Sequence, residues 1–229
     1  MPAPLCFITG TDTGVGKTVF TALLIRHLID RGVKARAVKP LCSGGRADAR
    51  VLASAQRDAW SLDDINPWHF RAPLAPLVAA RLENRVVLRA AVVRYLRTCQ
   101  RQCAVLLAEG AGGLMSPLGV DFNSLDLISS LGATPVVVCP NRLGVLNHAL
   151  LSLAAFSKEA RRRAKIVLVA QRRSDPACDS NVALLRELVG PERVVELPHL
   201  QRPLDFVWGL RQKEVQAALD AVVENRAAD

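Results

Sequence analysis

Aromatic side chains are scarce in this chain of 229 residues: Phe, Trp and Tyr together make up 4%. That scarcity argues against a base-stacking platform of the kind that grips single-stranded nucleic acid. Apolar runs of about 18 residues are also missing, so no segment reads as a membrane span. Met1–Cys6 has no basic region followed by an apolar core, and the expectation is a soluble cytoplasmic protein. The cysteines, Cys6, Cys42, Cys99, Cys103, Cys139 and Cys178, form no C-x-x-C pair and several lie in apolar runs. They read as buried free thiols. Cys99 and Cys103 would share a helix face, but no His or Cys group lies near them in sequence to complete a metal site. Repeats and low-complexity segments are likewise absent.

Acidic residues are in deficit, 21 against 30 Lys plus Arg, for a net charge of +9. This raises a nucleic-acid partner as an idea. The densest basic stretch, Lys158–Arg173, follows an apolar helix pattern, and a helix C-terminus favours cations through its dipole. A solvated helix end explains it, and no nucleic-acid partner is expected.

Half of the residues are hydrophobic, enough for a sizeable core in a single domain spanning 1–229. Short apolar runs at Leu5–Thr9, Val33–Val38, Cys103–Ala108, Pro135–Cys139, Lys165–Ala170 and Val194–Leu197 read as strands. Helical spacing marks Thr18–Arg31, Asp48–Gln56, Val87–Gln102, Gly144–Arg162, Asn181–Val189 and Glu214–Glu224. Cys42–Ala47, rich in Gly and Ser, reads as a loop. Trp60–Pro76, with three prolines, two tryptophans and no period, reads as a long irregular connection covering a site. Strands alternating with helices predict an α/β fold: a parallel sheet with helices on both faces, binding ligands at the C-terminal strand ends.

Between the first strand and helix lies Gly10-Thr-Asp-Thr-Gly-Val-Gly-Lys-Thr18. Glycines in that context let backbone N–H groups turn around an anion, and the helix N-terminus adds positive charge. Lys17 would reach the outer phosphates, and Thr18 would offer its hydroxyl to Mg²⁺. The usual pattern places its first glycine at position 11, where this chain has Thr11. Three further groups fall at strand ends or helix starts. Lys39 is either a stabiliser of transferring phosphoryl charge or a snorkelling surface lysine. Asp48 is either a helix cap or a Mg²⁺ ligand, and Glu109 either a solvated carboxylate or a Mg²⁺ ligand.

The loop with its shifted glycine, Lys39-Pro40, Glu109-Gly-Ala-Gly-Gly113 and Leu143-Gly-Val-Leu-Asn-His-Ala149 together resemble the successive signatures of the dethiobiotin synthetases. The resemblance implies ATP-dependent closure of the ureido ring of 7,8-diaminononanoate with CO₂, through a carbamate and a carbamic-phosphoric anhydride. It implies that Gly14, Val15, Gly16, Lys17, Thr18 and Val19 hold ATP, and that Thr18, Asp48 and Glu109 hold Mg²⁺. Lys39, with Lys17, would be catalytic, and Thr13, Ser43 and Gly112 would place the diamine. Gly144, Val145, Leu146 and Asn147 would hold its carboxylate across a homodimer interface, a helix start suited to an anion. The loop between Lys39 and Asp48 is shorter than is common in the family. Where the family commonly has Asn-Asp to read adenine, this chain has Gln171-Arg172, which puts base selectivity in question; Pro198 and Leu200 would complete the base contact.

Two other readings share the loop. An amide ligase of the cobyrinate type would carry a further glutaminase domain, which is not found in this sequence. A nucleotide-switch or partitioning ATPase would show a second lysine early in the loop, where Thr11, Asp12 and Thr13 stand, and no amphipathic tail is evident at Glu214–Asp229.

Overall fold

Strands buried on both faces call for mostly apolar residues, and these strands have them, with Thr9, Arg36, Glu109, Thr134, Lys165 and Glu196 as the polar exceptions. In the computed structural model, which describes residues 3–172, 175–201 and 205–223, β1 (Leu5–Gly10) is buried throughout. Its side chains alternate between two cores: Leu5 and Phe7 join one, Cys6 and Ile8 the other. Each large side chain so buried contributes roughly 1.5–3 kcal/mol of hydrophobic stabilisation.

Six strands form one parallel sheet in the order β2 (Ala35–Val38), β5 (Val105–Glu109), β1, β6 (Thr134–Pro140), β7 (Lys165–Val169) and β8 (Val194–Leu197). Register pairs such as Ile8↔Glu109, Gly10↔Val138 and Val38↔Ala108 align the C-terminal ends of the central strands. One face is covered by α1 (Lys17–Asp30), α2 (Ala47–Ala55), α10 (Phe206–Leu210) and α11 (Lys213–Val223). The other is covered by α5 (Arg89–Gln100), α6 (Ser124–Leu131), α7 (Val145–Ala155), α8 (Lys158–Arg163) and α9 (Ala177–Val189). This is the expected α/β architecture, with helices on both faces.

Several local expectations are corrected. Cys42–Ala47 is not all loop: β3 (Leu41–Ser43) pairs in parallel with β4 (Trp68–Phe70) in a small second sheet. Trp60–Pro76 is not irregular throughout, since it contains β4 and α3 (Leu62–Ile65), whose start is fixed by a capping box between Ser61 and Asp64. Asp48 does not cap α2: Arg46 occupies the cap position and Asp48 lies in the first turn. The helix expected over Gly144–Arg162 is two, because Phe156 adopts an extended backbone and Ser157 caps α8 by accepting from the Ala160 N–H. Helices α4 (Pro76–Leu82), α6 and α10 carried no expectation. Arg173 of the basic stretch, Glu224 of the final helix and the end of the chain to Asp229 lie outside the described residues.

Candidate active site

Gly10, the last residue of β1, has no room for a side chain. A Cβ would lie 2.7 Å from Val15 Cγ2, 3.1 Å from the Val138 carbonyl oxygen and 3.2 Å from Lys17 Cδ. The displaced first glycine thus answers to packing against the next strand and the loop's own side chains. Thr11 is anchored by its N–H to the Val138 carbonyl at 3.2 Å. Gly16, with φ of 98°, occupies the cap of α1 in a left-handed conformation, and no side chain caps the free N–H groups behind it. An uncapped helix start with inward-turning glycines is a receptor for anions.

Lys17 is buried and folds back, donating to the Asp12 carbonyl at 2.7 Å. Burial and the neighbouring charge of Lys39 lower its pKa to about 8, against partial compensation from Glu109 and Asp48. Lys39, one residue beyond β2, is 4% exposed, and Glu109, the last residue of β5, is 1% exposed. The Lys39 ammonium lies 2.6 Å from Glu109 Oε1 and 2.7 Å from Asp48 Oδ2. Burial alone would lower the pKa of Lys39, but Glu109 and then Asp48 outweigh it and raise it. Burial would raise that of Asp48, but Lys39 and the Thr18 hydroxyl hold it below the ordinary carboxylate range. Thr18 donates to Glu109 Oε1 at 2.7 Å. Asp48 is thus an ion-pair partner of Lys39 from the first turn of α2.

The donor set fits Mg²⁺. Two carboxylates and a hydroxyl are hard oxygens, and a magnesium site that completes itself with phosphates and water needs no more than this. Among the described residues no cluster of three or more His, Cys, Asp or Glu gathers to hold a metal by protein groups alone. Glu109 Oε2 is buried with no hydrogen-bond partner, an unused acceptor on the carboxylate whose Oε1 meets the Lys39 ammonium and the Thr18 hydroxyl.

Two cavities flank the start of α1 and share Gly14, Gly16 and Val19. The larger, about 660 Å³, is lined by Thr13, Lys17, Thr18, Lys39, Ser43, Asp48 and Gly112. The smaller, about 290 Å³, lies on the far side against Val15, Gln171, Pro198 and Leu200. Gln171 donates its amide nitrogen to the Val169 carbonyl at 2.8 Å. Gly144, Val145, Leu146 and Asn147 line neither cavity; Gly144, left-handed at φ of 90°, caps the start of α7. The sequence reading did not place Cys42 or Ser116 at the site, yet both wall the larger cavity beside Pro73–Pro76, the end of the segment expected to cover a site; Arg172 and His199, which sit in the two stretches read as base contacts, wall the smaller. Pro76 heads α4, and a proline at a helix start was the readable signal.

A family model described as an AAA domain matches residues 5–203. The ATP-dependent dethiobiotin synthetase of Anaeromyxobacter sp. (strain K) is 39% identical over 206 residues, covering 88% of this chain and 89% of its own. That of Akkermansia muciniphila is 34% identical over 200 residues, covering 87% and 94%. Among solved structures, pNOB8 ParA bound to nonspecific DNA matches with a TM-score of 0.65 at 13% identity, over 99% of both chains. MinD in the MinC:MinD complex of Aquifex aeolicus matches with a TM-score of 0.63 at 14% identity, over 99% of this chain and 97% of that one. These two likenesses show the P-loop NTPase fold. On the strength of its curated relatives, the chain belongs to the ATP-dependent dethiobiotin synthetase family.

Proposed function

We propose that this enzyme closes the ureido ring of 7,8-diaminononanoate with CO₂ at the expense of ATP, in a single domain spanning 1–229. The observation that carries the reading is the convergence of Lys17, Thr18, Lys39, Asp48 and Glu109 at the uncapped start of α1, with a base-sized cavity on one side and a larger one on the other.

The N–H groups of Gly14–Lys17 receive the phosphates, and Lys17 leaves the Asp12 carbonyl for the outer ones. Mg²⁺, held by Thr18, Asp48 and Glu109, would neutralise phosphate charge. Thr13, Ser43 and Gly112 place the diamine in the larger cavity. One neutral amine adds to CO₂ and loses a proton to give the carbamate. A carbamate oxygen takes the γ-phosphoryl group as ADP leaves, and the second amine attacks the carbonyl carbon, expelling phosphate and closing the ring. The raised pKa of Lys39 makes it an electrostatic clamp on carbamate and transferring phosphoryl oxygens and unsuits it as a base. Lys17, Lys39 and Mg²⁺ together favour the neutral amine by disfavouring another positive charge nearby.

A homodimer completes this reading, with the second copy bringing Gly144–Asn147 to the diamine's carboxylate. Its support is the exposed apolar surface around α7, where Leu143 is 80% and Leu151 61% exposed. The enzyme is read as cytoplasmic; no described helix is long and apolar enough to cross a membrane. The test is phosphate release from purified protein with Mg²⁺, bicarbonate and ATP, with and without 7,8-diaminononanoate. Release is expected only with the diamine; diamine-independent hydrolysis, or none, overturns the proposal.

A further inference from the structure

Lys39 stands where the backbone is hardest to hold. Strand β2 is an edge strand, paired on one side only with β5. The next residue, Pro40, has no N–H to offer any ladder. The backbone that carries the ammonium therefore leaves the sheet without regular strand partners. Yet Nζ must reach two carboxylates at 2.6 and 2.7 Å, a geometry that a shift of about an ångström would break.

The segment 60–70 supplies the missing partners. Asn66 is fully buried, and its Nδ2 donates to the Lys39 carbonyl at 2.7 Å, to the Pro40 carbonyl at 3.3 Å and to the Trp68 carbonyl at 3.4 Å. The Lys39 N–H in turn donates to the Ile65 carbonyl at 3.0 Å. On the other side, Arg46 Nη2 donates to the Asn66 carbonyl at 3.0 Å, and Arg46 is the cap residue of α2, which carries Asp48. One side chain therefore ties the backbone under Lys39, and its own backbone ties the helix under Asp48. Asn66 lines neither cavity flanking α1, so it touches the site only through these bonds. Its Oδ1 is buried without a partner: the amide is used for its donor side.

We propose that Asn66 is a positioning residue that sets Lys39, and through Arg46 the start of the Asp48 helix, for phosphoryl transfer. This rests on the reading of Lys39 as a catalytic residue. The test is a double-mutant cycle: Asn66→Ala and Asn66→Ser, each alone and in a Lys39→Ala background, with diamine-dependent turnover normalised to ATP-binding sites counted by titration. The expected result is a fall in kcat of roughly 10- to 100-fold for Asn66→Ala and less for Asn66→Ser, with ATP affinity within about threefold, and a further change below about twofold once Lys39 is absent. Additive losses in the cycle, or losses that vanish on normalisation, overturn the proposal. If Asn66→Ala does not fold, Asn66→Ser and its cycle decide. A second readout is the ¹⁵N resonance of the Lys39 ammonium in ligand-free protein, expected to move in both Asn66 variants; no movement counts against the proposal. A wild-type protein without diamine-dependent turnover would sink the functional reading, whereas the ammonium resonance would still test the link from Asn66 to Lys39.

Discussion

ATP affinity should weaken as pH rises through 8, and the size of the effect follows from Lys17. In the ligand-free protein its pKa is about 8, first because the side chain is buried and second because Lys39 is nearby. Bound phosphates would pull it back toward the ordinary lysine range, since an opposite charge within a few ångströms favours the charged form. Binding must then take up a proton wherever the free protein has lost one. About half of the molecules are charged at Lys17 at pH 8 and about one in eleven at pH 9, so affinity at pH 9 should be roughly tenfold weaker than at pH 7, about 1.4 kcal/mol. The sign for stability is separate. A folded-state pKa below the unfolded value means that this group's stabilising contribution is complete above about pH 10.5 and is lost as pH falls to about 8. The assay is calorimetry at saturating Mg²⁺ between pH 7.5 and 9.5, in buffers of differing ionisation enthalpy, which report the uptake of about half a proton at pH 8. A flat affinity, or the same slope in Lys17→Met, would refute the reasoning.

Lys39→Met strands the buried carboxylate of Glu109. Removing one partner of a buried ion pair costs about 3–5 kcal/mol, and the half-exposed Asp48 places this case at about 3, or roughly 6–12 °C in Tm; a drop below about 2 °C by calorimetry counts against it. The same variant should lose turnover by about 100-fold or more with ATP affinity within about threefold, because charge on the transferring group is greatest in the transition state; equal losses in both would make Lys39 only a binding residue. With Gln171 where the family commonly has asparagine, and its amide nitrogen turned to Val169, kcat/KM for ATP, GTP and CTP should agree within about tenfold; a strong ATP preference defeats this. Leu151→Asp should yield a monomer in sedimentation and raise the KM for the diamine, since a buried unpaired charge opposes association; a monomeric variant with unchanged KM contradicts the shared site.

Much of the fold was legible because parallel strands buried on both faces leave uninterrupted apolar runs, as at Val105–Ala108 within β5 and Pro135–Cys139 within β6. The short elements were not, because three residues of strand carry no period: β3 and β4 exist by pairing with each other. The signal for α6 was present in Asn123 and Asp126, which form its capping box. The break between α7 and α8 was hidden by a run of residues that continue a helical pattern on either side of Ser157. In the site, Lys39 and Glu109 were found because strand ends are where a sheet presents chemistry, and Asp48 because it stands near a helix start. Asn66 was not, because its contacts are with carbonyl oxygens, which every residue has and no side-chain pattern records.

The crowding at Gly10 has a consequence for anyone who would transplant this loop. A Cβ at position 10 would meet Val15, the neighbouring strand and the stem of Lys17 at once. Positions 10, 15 and 17 therefore behave as one interlocked part, and grafting only the phosphate-facing residues Gly14–Thr18 onto another sheet would leave the lysine without the hollow in which it folds back.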